Sequence, residues 1–176
     1  MNKIFGIGIL AAGLIFSGCM DEEIESSAAV QTTAEKFPAF ATANLSGENV
    51  TDNIFAQKKI TVVNIWGTFC PPCIDEMPEL GEWAKNMPAD AQLIGIVCDV
   101  QGNDDAQTIQ AAMQILSDSN ANFVNLVPDA EIMQYLQNVQ AVPTTIFVDS
   151  QGNLIGEPVI GADVESYKMR VEEFLK

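Results

Sequence analysis

The chain has 176 residues, close to half of them apolar, which is enough for one domain with a sizeable core. Its 24 Asp and Glu against eight Lys and Arg give a formal charge of -16, and no cation falls between Lys85 and Lys168; such a surface repels nucleic acid and gains little from anionic headgroups. There is no histidine, which excludes Ser-His-Asp and Cys-His catalysis and His-based zinc or copper sites, and the single arginine, Arg170, argues against an arginine clamp for phosphate.

The first element is the stretch "MNKIFGIGILAAGLIFSGCMDEE". Lys3 supplies a short positive region, and Ile4 to Phe16 is an apolar run too short to span a bilayer comfortably. Phe16-Ser17-Gly18 then precedes Cys19. This resembles the lipobox of bacterial lipoproteins, with Phe16 where Leu is usual. The resemblance implies a signal peptide over residues 1–18 and an acylated Cys19 at the mature N-terminus. An ordinary secretory signal with an incidental cysteine is the other reading. Both take the product out of the cytoplasm, where disulfide chemistry is allowed. Residues 19–36 read as a flexible tether of Glu, Ser, Ala and Thr, able to reach on the order of 50 Å when extended.

The mature domain is expected over 37–176. Phe37 to Thr51 has the Gly-containing turn of a hairpin. "KITVVNIW" (Lys59 to Trp66) predicts a buried strand. Ile74, Met77, Leu80 and Ala84 recur at helical spacing, predicting a helix that begins near Cys70 and bends at Pro78. "QLIGIVCDV" predicts a second buried strand. Ile109, Ala112, Met113 and Leu116 mark a helix capped by Asp104 or Asp105. "NFVNLV" is a strand, and Ile132, Tyr135, Leu136 and Val139 mark a short helix. "PTTIFVD" and "LIGEPVIG" are strands joined by the turn "SQGN". Asp163 caps a last helix with Val164, Tyr167, Val171 and Phe174 facing inward. This order predicts an α/β fold, a mixed sheet flanked by helices. Reactive groups in such sheets gather at the carboxyl ends of parallel strands, which is where Cys70 falls.

Cys70 and Cys73 stand at the start of a helix, in "WGTFCPPC". A thiol attacks a disulfide as thiolate, and free N–H groups at a helix start favour that anion on Cys70. Pro71 suits the first turn because it wastes no N–H. Cys73, one turn on, is shielded and placed to resolve a mixed disulfide on Cys70. Two other readings stay open. Half a zinc site would need two more ligands, and only Cys98 remains. A purely structural disulfide across so short a loop would stabilise little.

"WGTFCPPC", "CIDEMPEL" and "VPTTIFVDSQGNLIG" together resemble extracytoplasmic thioredoxin-like proteins of the TlpA/ResA type. The resemblance covers about Phe37 to Lys176 and implies a thioredoxin-like fold. It adds an N-terminal hairpin and an inserted helix-strand unit over Asp104 to Val127. It implies a redox disulfide between Cys70 and Cys73. It implies a cis Pro143, leaving the backbone of Val142 free to pair with an extended substrate. Trp66 and Phe69 would contact substrate or, more plainly, form a packing wall beside the site. Phe69 stands where the family usually has Trp. Glu76 would manage protons next to the cysteines, as a partly buried carboxylate can, or hold a solvated or structural place. Asn64 occupies the position of the buried aspartate of cytoplasmic thioredoxin, so that proton shuttle is absent. Cys98 reads as a small buried hydrophobe or, more sharply, as a third redox thiol.

The function implied is a membrane-anchored extracytoplasmic thiol-disulfide oxidoreductase reducing protein disulfides, in cytochrome c maturation or repair of oxidised proteins. Its implied partners are a disulfide-containing protein substrate, a CcdA- or DsbD-like membrane electron donor, and the membrane through the lipid anchor. No cofactor, metal or nucleic acid is implied. The alternatives are a thiol-dependent peroxidase of the same fold and a soft-metal-binding lipoprotein or metallochaperone.

Overall fold

The computed structural model describes residues 35–176. The signal segment, Cys19 and nearly all of the expected tether lie outside the described residues.

The first strands, β1 (Ala41–Ala43) and β2 (Asn49–Thr51), form the expected antiparallel hairpin. Asn44 shapes its turn, its Oδ1 accepting from the backbone N–H of Ser46 and of Glu48. A short 3-10 helix, Asp52–Gln57, leads into β3 (Ile60–Trp66), of which every residue is buried. Then follow α1 (Pro71–Lys85), β4 (Ala91–Val97), α2 (Ala106–Asp118), β5 (Val124–Leu126), α3 (Ala130–Leu136), β6 (Thr144–Asp149), β7 (Val159–Ile160) and α4 (Val164–Phe174).

The sheet order is β5-β4-β3-β6-β7. β3, β4 and β5 run parallel, β6 is antiparallel to β3, and β7 is antiparallel to β6. Buried on both faces, β3 and β4 read as near-continuous apolar runs for that reason. One face carries Val62, Trp66, Leu93 and Val97 against Met77, Leu80, Leu116, Tyr167 and Val171 of the helices α1, α2 and α4. The other carries Val63, Ile65, Ile94 and Ile96 against Ile132 of α3 and Phe37, Phe40 and Phe55 of the N-terminal region. The hairpin also covers the β5 edge, where Asn44 bridges Leu126, Leu45 N–H reaches the Asn125 carbonyl, and Val127 N–H reaches the Ala43 carbonyl.

The helix α1 runs on through Pro78. Pro78 lies on the exposed side of the helix, where the Ile74 carbonyl left without its donor can meet water. Two local expectations need correction. Met113 of α2 is exposed rather than packed inward. "LIGEPVIG" is not one strand: Leu154 bridges Val148, the chain then departs over Gly156 to Pro158, and pairing resumes only at Val159. Pro158 has no N–H to donate to a ladder, which accounts for the gap.

Candidate active site

β3 ends at Trp66, and the next turn delivers Cys70 to the N-cap of α1. Asp99, just past β4, fixes this turn by accepting the Thr68 N–H at 3.1 Å and the Thr68 hydroxyl. Cys70 and Cys73 form a disulfide with an S–S distance of 2.07 Å. The two cysteines are not equivalent. Cys70 is 4% exposed and Cys73 fully buried. Cys70 Sγ accepts the Cys73 N–H at 3.3 Å, so a free amide of the first helical turn points at the sulfur. That donor and the helix dipole stabilise negative charge on Cys70 when the bond is open.

The cis-proline loop lies against this sulfur. The Val142–Pro143 peptide is cis, and the Val142 carbonyl oxygen is 3.5 Å from Cys70 Sγ. A shallow groove of about 470 Å³ begins here, lined by Ile65, Phe69, Cys98, Leu136, Val139 and Val142 among others. Phe69 is 66% exposed and forms an open apolar wall. Trp66 does not share that role. It is fully buried, and its indole N–H donates to Asn125 Oδ1 at 2.8 Å across Gly95 of β4. With no exposed surface to offer a substrate, Trp66 fits the packing reading and not that of a substrate contact.

Glu76 follows Cys73 by one turn on the same buried side and is 6% exposed. Its Oε1 accepts from Asn64 Nδ2 at 2.9 Å, and its Oε2 lies 3.0 Å from the Tyr167 hydroxyl. Burial drives its carboxyl up to about 7; the contacts from Asn64 and Tyr167 pull the other way, and the nearby charge of Glu79 adds to the rise. It is therefore a carboxyl that can hold or release a proton near neutrality, one turn along α1 from the buried Cys73. Asn64 also donates to Thr145 Oγ1 at 3.1 Å, and its own Oδ1 has no partner among the described residues. Reading the sequence alone missed Thr145 and Tyr167 as members of this cluster. The available signals were a threonine inside a buried strand and a phenol on the inward face of the last helix.

Cys98 follows β4 directly, its N–H bonded to the Trp66 carbonyl at 2.8 Å. It is a free thiol, and burial, with the charge of Asp99, pushes its pKa up to about 11. A thiol so disposed is a weak nucleophile at neutral pH, which favours the packing role over a third redox centre. Arg170 lies in α4 and faces Glu173 at 3.9 Å.

Fold and site together define a thioredoxin-like protein with a redox disulfide at a helix N-terminus. The chain belongs to the AhpC/TSA family, whose model matches residues 33–156. It is 29% identical over 120 residues to a thiol:disulfide interchange protein DsbE homolog of Paracoccus denitrificans, covering 67% of this chain and 61% of that protein. It is 28% identical over 141 residues to the thiol-disulfide oxidoreductase ResA of Bacillus thuringiensis subsp. konkukian, covering 79% of this chain and 74% of that one. Among solved structures, a thioredoxin family thiol:disulfide interchange protein from Chlorobium tepidum superposes with a TM-score of 0.67 at 18% identity, covering 81% of this chain and 97% of the other. The exposed lipoprotein thioredoxin Etrx1 of Streptococcus pneumoniae does so with 0.62 at 17% identity, covering 77% and 99%.

Proposed function

We propose that this protein is a lipid-anchored, extracytoplasmic thiol-disulfide oxidoreductase that reduces protein disulfides. The observation that carries the reading is the asymmetry of the pair. Cys70 sits at the helix N-cap beside the cis-proline loop and an open groove, while Cys73 is sealed behind it with Glu76. In the reduced enzyme the Cys70 thiolate attacks a substrate disulfide, forming a mixed disulfide and expelling one substrate thiolate. The Cys73 proton passes to the Glu76 carboxylate. The Cys73 sulfur then attacks Cys70 Sγ, closing the Cys70–Cys73 disulfide and releasing the second substrate thiolate. Two electrons move from enzyme to substrate, and a CcdA- or DsbD-like membrane protein restores them. The backbone of Val142 pairs with the extended substrate, and Phe69 packs against its apolar side chains.

The names of the relatives support disulfide exchange, and the lipobox-like run before Cys19 supports the anchor there, with residues 1–18 as signal and 19–36 as tether. Substrates in cytochrome c maturation or in repair of oxidised proteins fit this chemistry. Peroxidase action is less well supported, since Arg170 faces Glu173 in the last helix. Insulin reduction by the full chain with excess dithiol tests the reading. Activity is expected from the native protein and none above background from Cys70→Ala; activity that survives that substitution would overturn it.

A further inference from the structure

Tyr167 is fully buried, yet its hydroxyl meets four polar groups. It accepts the Asp163 N–H at 3.2 Å, is within reach of the rotatable Thr145 hydroxyl, lies 2.7 Å from the Gly161 carbonyl oxygen, and lies 3.0 Å from Glu76 Oε2. Both of the last two are acceptors when Glu76 is ionised, and a phenol has one proton. Two arrangements satisfy the count. In one, Tyr167 donates to Gly161, and Glu76 is neutral and donates its own proton to Tyr167. In the other, Glu76 is ionised, Tyr167 donates to it, and the Gly161 carbonyl loses its side-chain donor.

Gly161 is in turn tied to the substrate loop. Its N–H donates to the carbonyl of cis Pro143 at 2.8 Å. Its φ of 94° is a left-handed conformation that glycine adopts without strain. A continuous chain of hydrogen bonds thus runs from Glu76 through Tyr167 and Gly161 to Pro143, next to the carbonyl that faces Cys70.

We propose that Tyr167 is a positioning residue that couples the proton on Glu76 to the cis-proline loop, its single hydroxyl proton moving between Gly161 and Glu76. When Glu76 gives up its proton to solvent, Tyr167 turns to the carboxylate and releases Gly161. When Glu76 takes the Cys73 proton in turnover, Tyr167 returns to Gly161 and the segment holding Pro143 is fixed again. That last consequence rests on the oxidoreductase reading; the proton coupling does not. The group whose charge acts on Glu76 from its own helix is Glu79, itself paired at 2.8 Å with Lys168 of α4, and Tyr167 is the titratable group facing it from α4. From β3 it is faced by the uncharged Asn64, which also bonds Thr145 of β6, and Thr145 in turn reaches Tyr167.

The test is an NMR titration of the oxidised full chain with no substrate present. The reporters are the Glu76 carboxyl carbon, the Tyr167 ring carbon bearing the hydroxyl, and the amide nitrogen of Ala162, whose peptide unit contains the Gly161 carbonyl. All three are expected to share one inflection near pH 7. Glu76→Gln should abolish the inflection at Tyr167 and Ala162, and Tyr167→Phe should abolish it at Ala162 alone. If Tyr167→Phe does not fold, the native protein and Glu76→Gln still decide. An Ala162 signal that stays flat while Glu76 titrates, one that still titrates in Tyr167→Phe, or a Glu76 carboxyl with no inflection near pH 7 would overturn the coupling. Because no turnover is measured, a failed reductase assay would count against the function alone.

Discussion

Glu76 illustrates how one side chain acquires a task from its surroundings. In the sequence it is one of 24 acidic residues, and only its spacing from Cys73 and a family resemblance single it out. The fold supplies the rest by burying it between Asn64 and Tyr167. Its raised pKa has a thermodynamic consequence. With a folded value about 7 above an ordinary value of 4.5, the native state holds more protons than the unfolded chain between these limits. The contribution is fully present below the ordinary value and is lost as pH rises through the folded one. Native protein should therefore lose about 3 kcal/mol between pH 4.5 and 8 that Glu76→Gln does not lose. Denaturant unfolding of both at the two pH values measures it; parallel pH dependences would place the Glu76 proton elsewhere. Cys70 and Cys73 were legible from spacing alone. Tyr167 was not, because an inward phenol on a helix reads as core until its hydrogen-bond partners, distant in sequence, are known.

At the scale of elements, β3 and β4 were legible as short, near-continuous apolar runs, and α1 and α4 by their helical spacing and, for α4, an Asp cap. The failures have local causes. Ile74 and Ala84 marked the helical period, yet the deeply buried face of α1 runs through Cys73, Glu76, Met77, Leu80 and Trp83. A polar Glu does not register as core in a hydropathy pattern. The return strand after β6 failed because alternation continued across Gly156 and Pro158, whereas strand pairing did not. Gly95 was unremarkable in sequence but is required by β4. A Cβ there would lie 1.8 Å from Asn125 Oδ1 and 3.1 Å from Trp66 Nε1. The glycine thus makes room for the hydrogen bond that joins β3 to β5 over β4 and fixes the base of the active-site turn. Gly95→Ala should lower stability by about 3 kcal/mol, through steric overlap and loss of that bond. Chemical denaturation with Trp fluorescence reads this, and an unchanged midpoint would mean that the bond is dispensable.

Over the whole molecule, charge is segregated along the sheet. Lys58 and Lys59 precede β3, and Lys85 ends α1, all remote from the helix end that bears Cys70. The segments at the active-site end carry Asp75, Asp99, Asp104 and Asp105 and no cation. A disulfide flanked by basic residues should be steered to this face. At low ionic strength a cationic disulfide peptide should react about 10-fold faster than its anionic counterpart, with the ratio collapsing as salt shortens the screening length. Stopped-flow rates over a salt series test this, and equal rates at low salt would remove the electrostatic argument. The α/β class and the position of the cysteine pair were legible in the sequence at this scale, since alternation of strands and helices dictates both. Which residues fill each face of the core, and that the hairpin covers the β5 edge, depend on contacts between distant residues and were not. The claim on which the whole account turns is that Cys70 attacks and Cys73 resolves. Cys73→Ser in the full chain, reduced and mixed with a disulfide peptide, tests it by peptide-mapped mass spectrometry. The account predicts a stable mixed disulfide on Cys70 and none on Cys98. An adduct on Cys98, or capture by Cys73 in Cys70→Ser with none by Cys70, would contradict it.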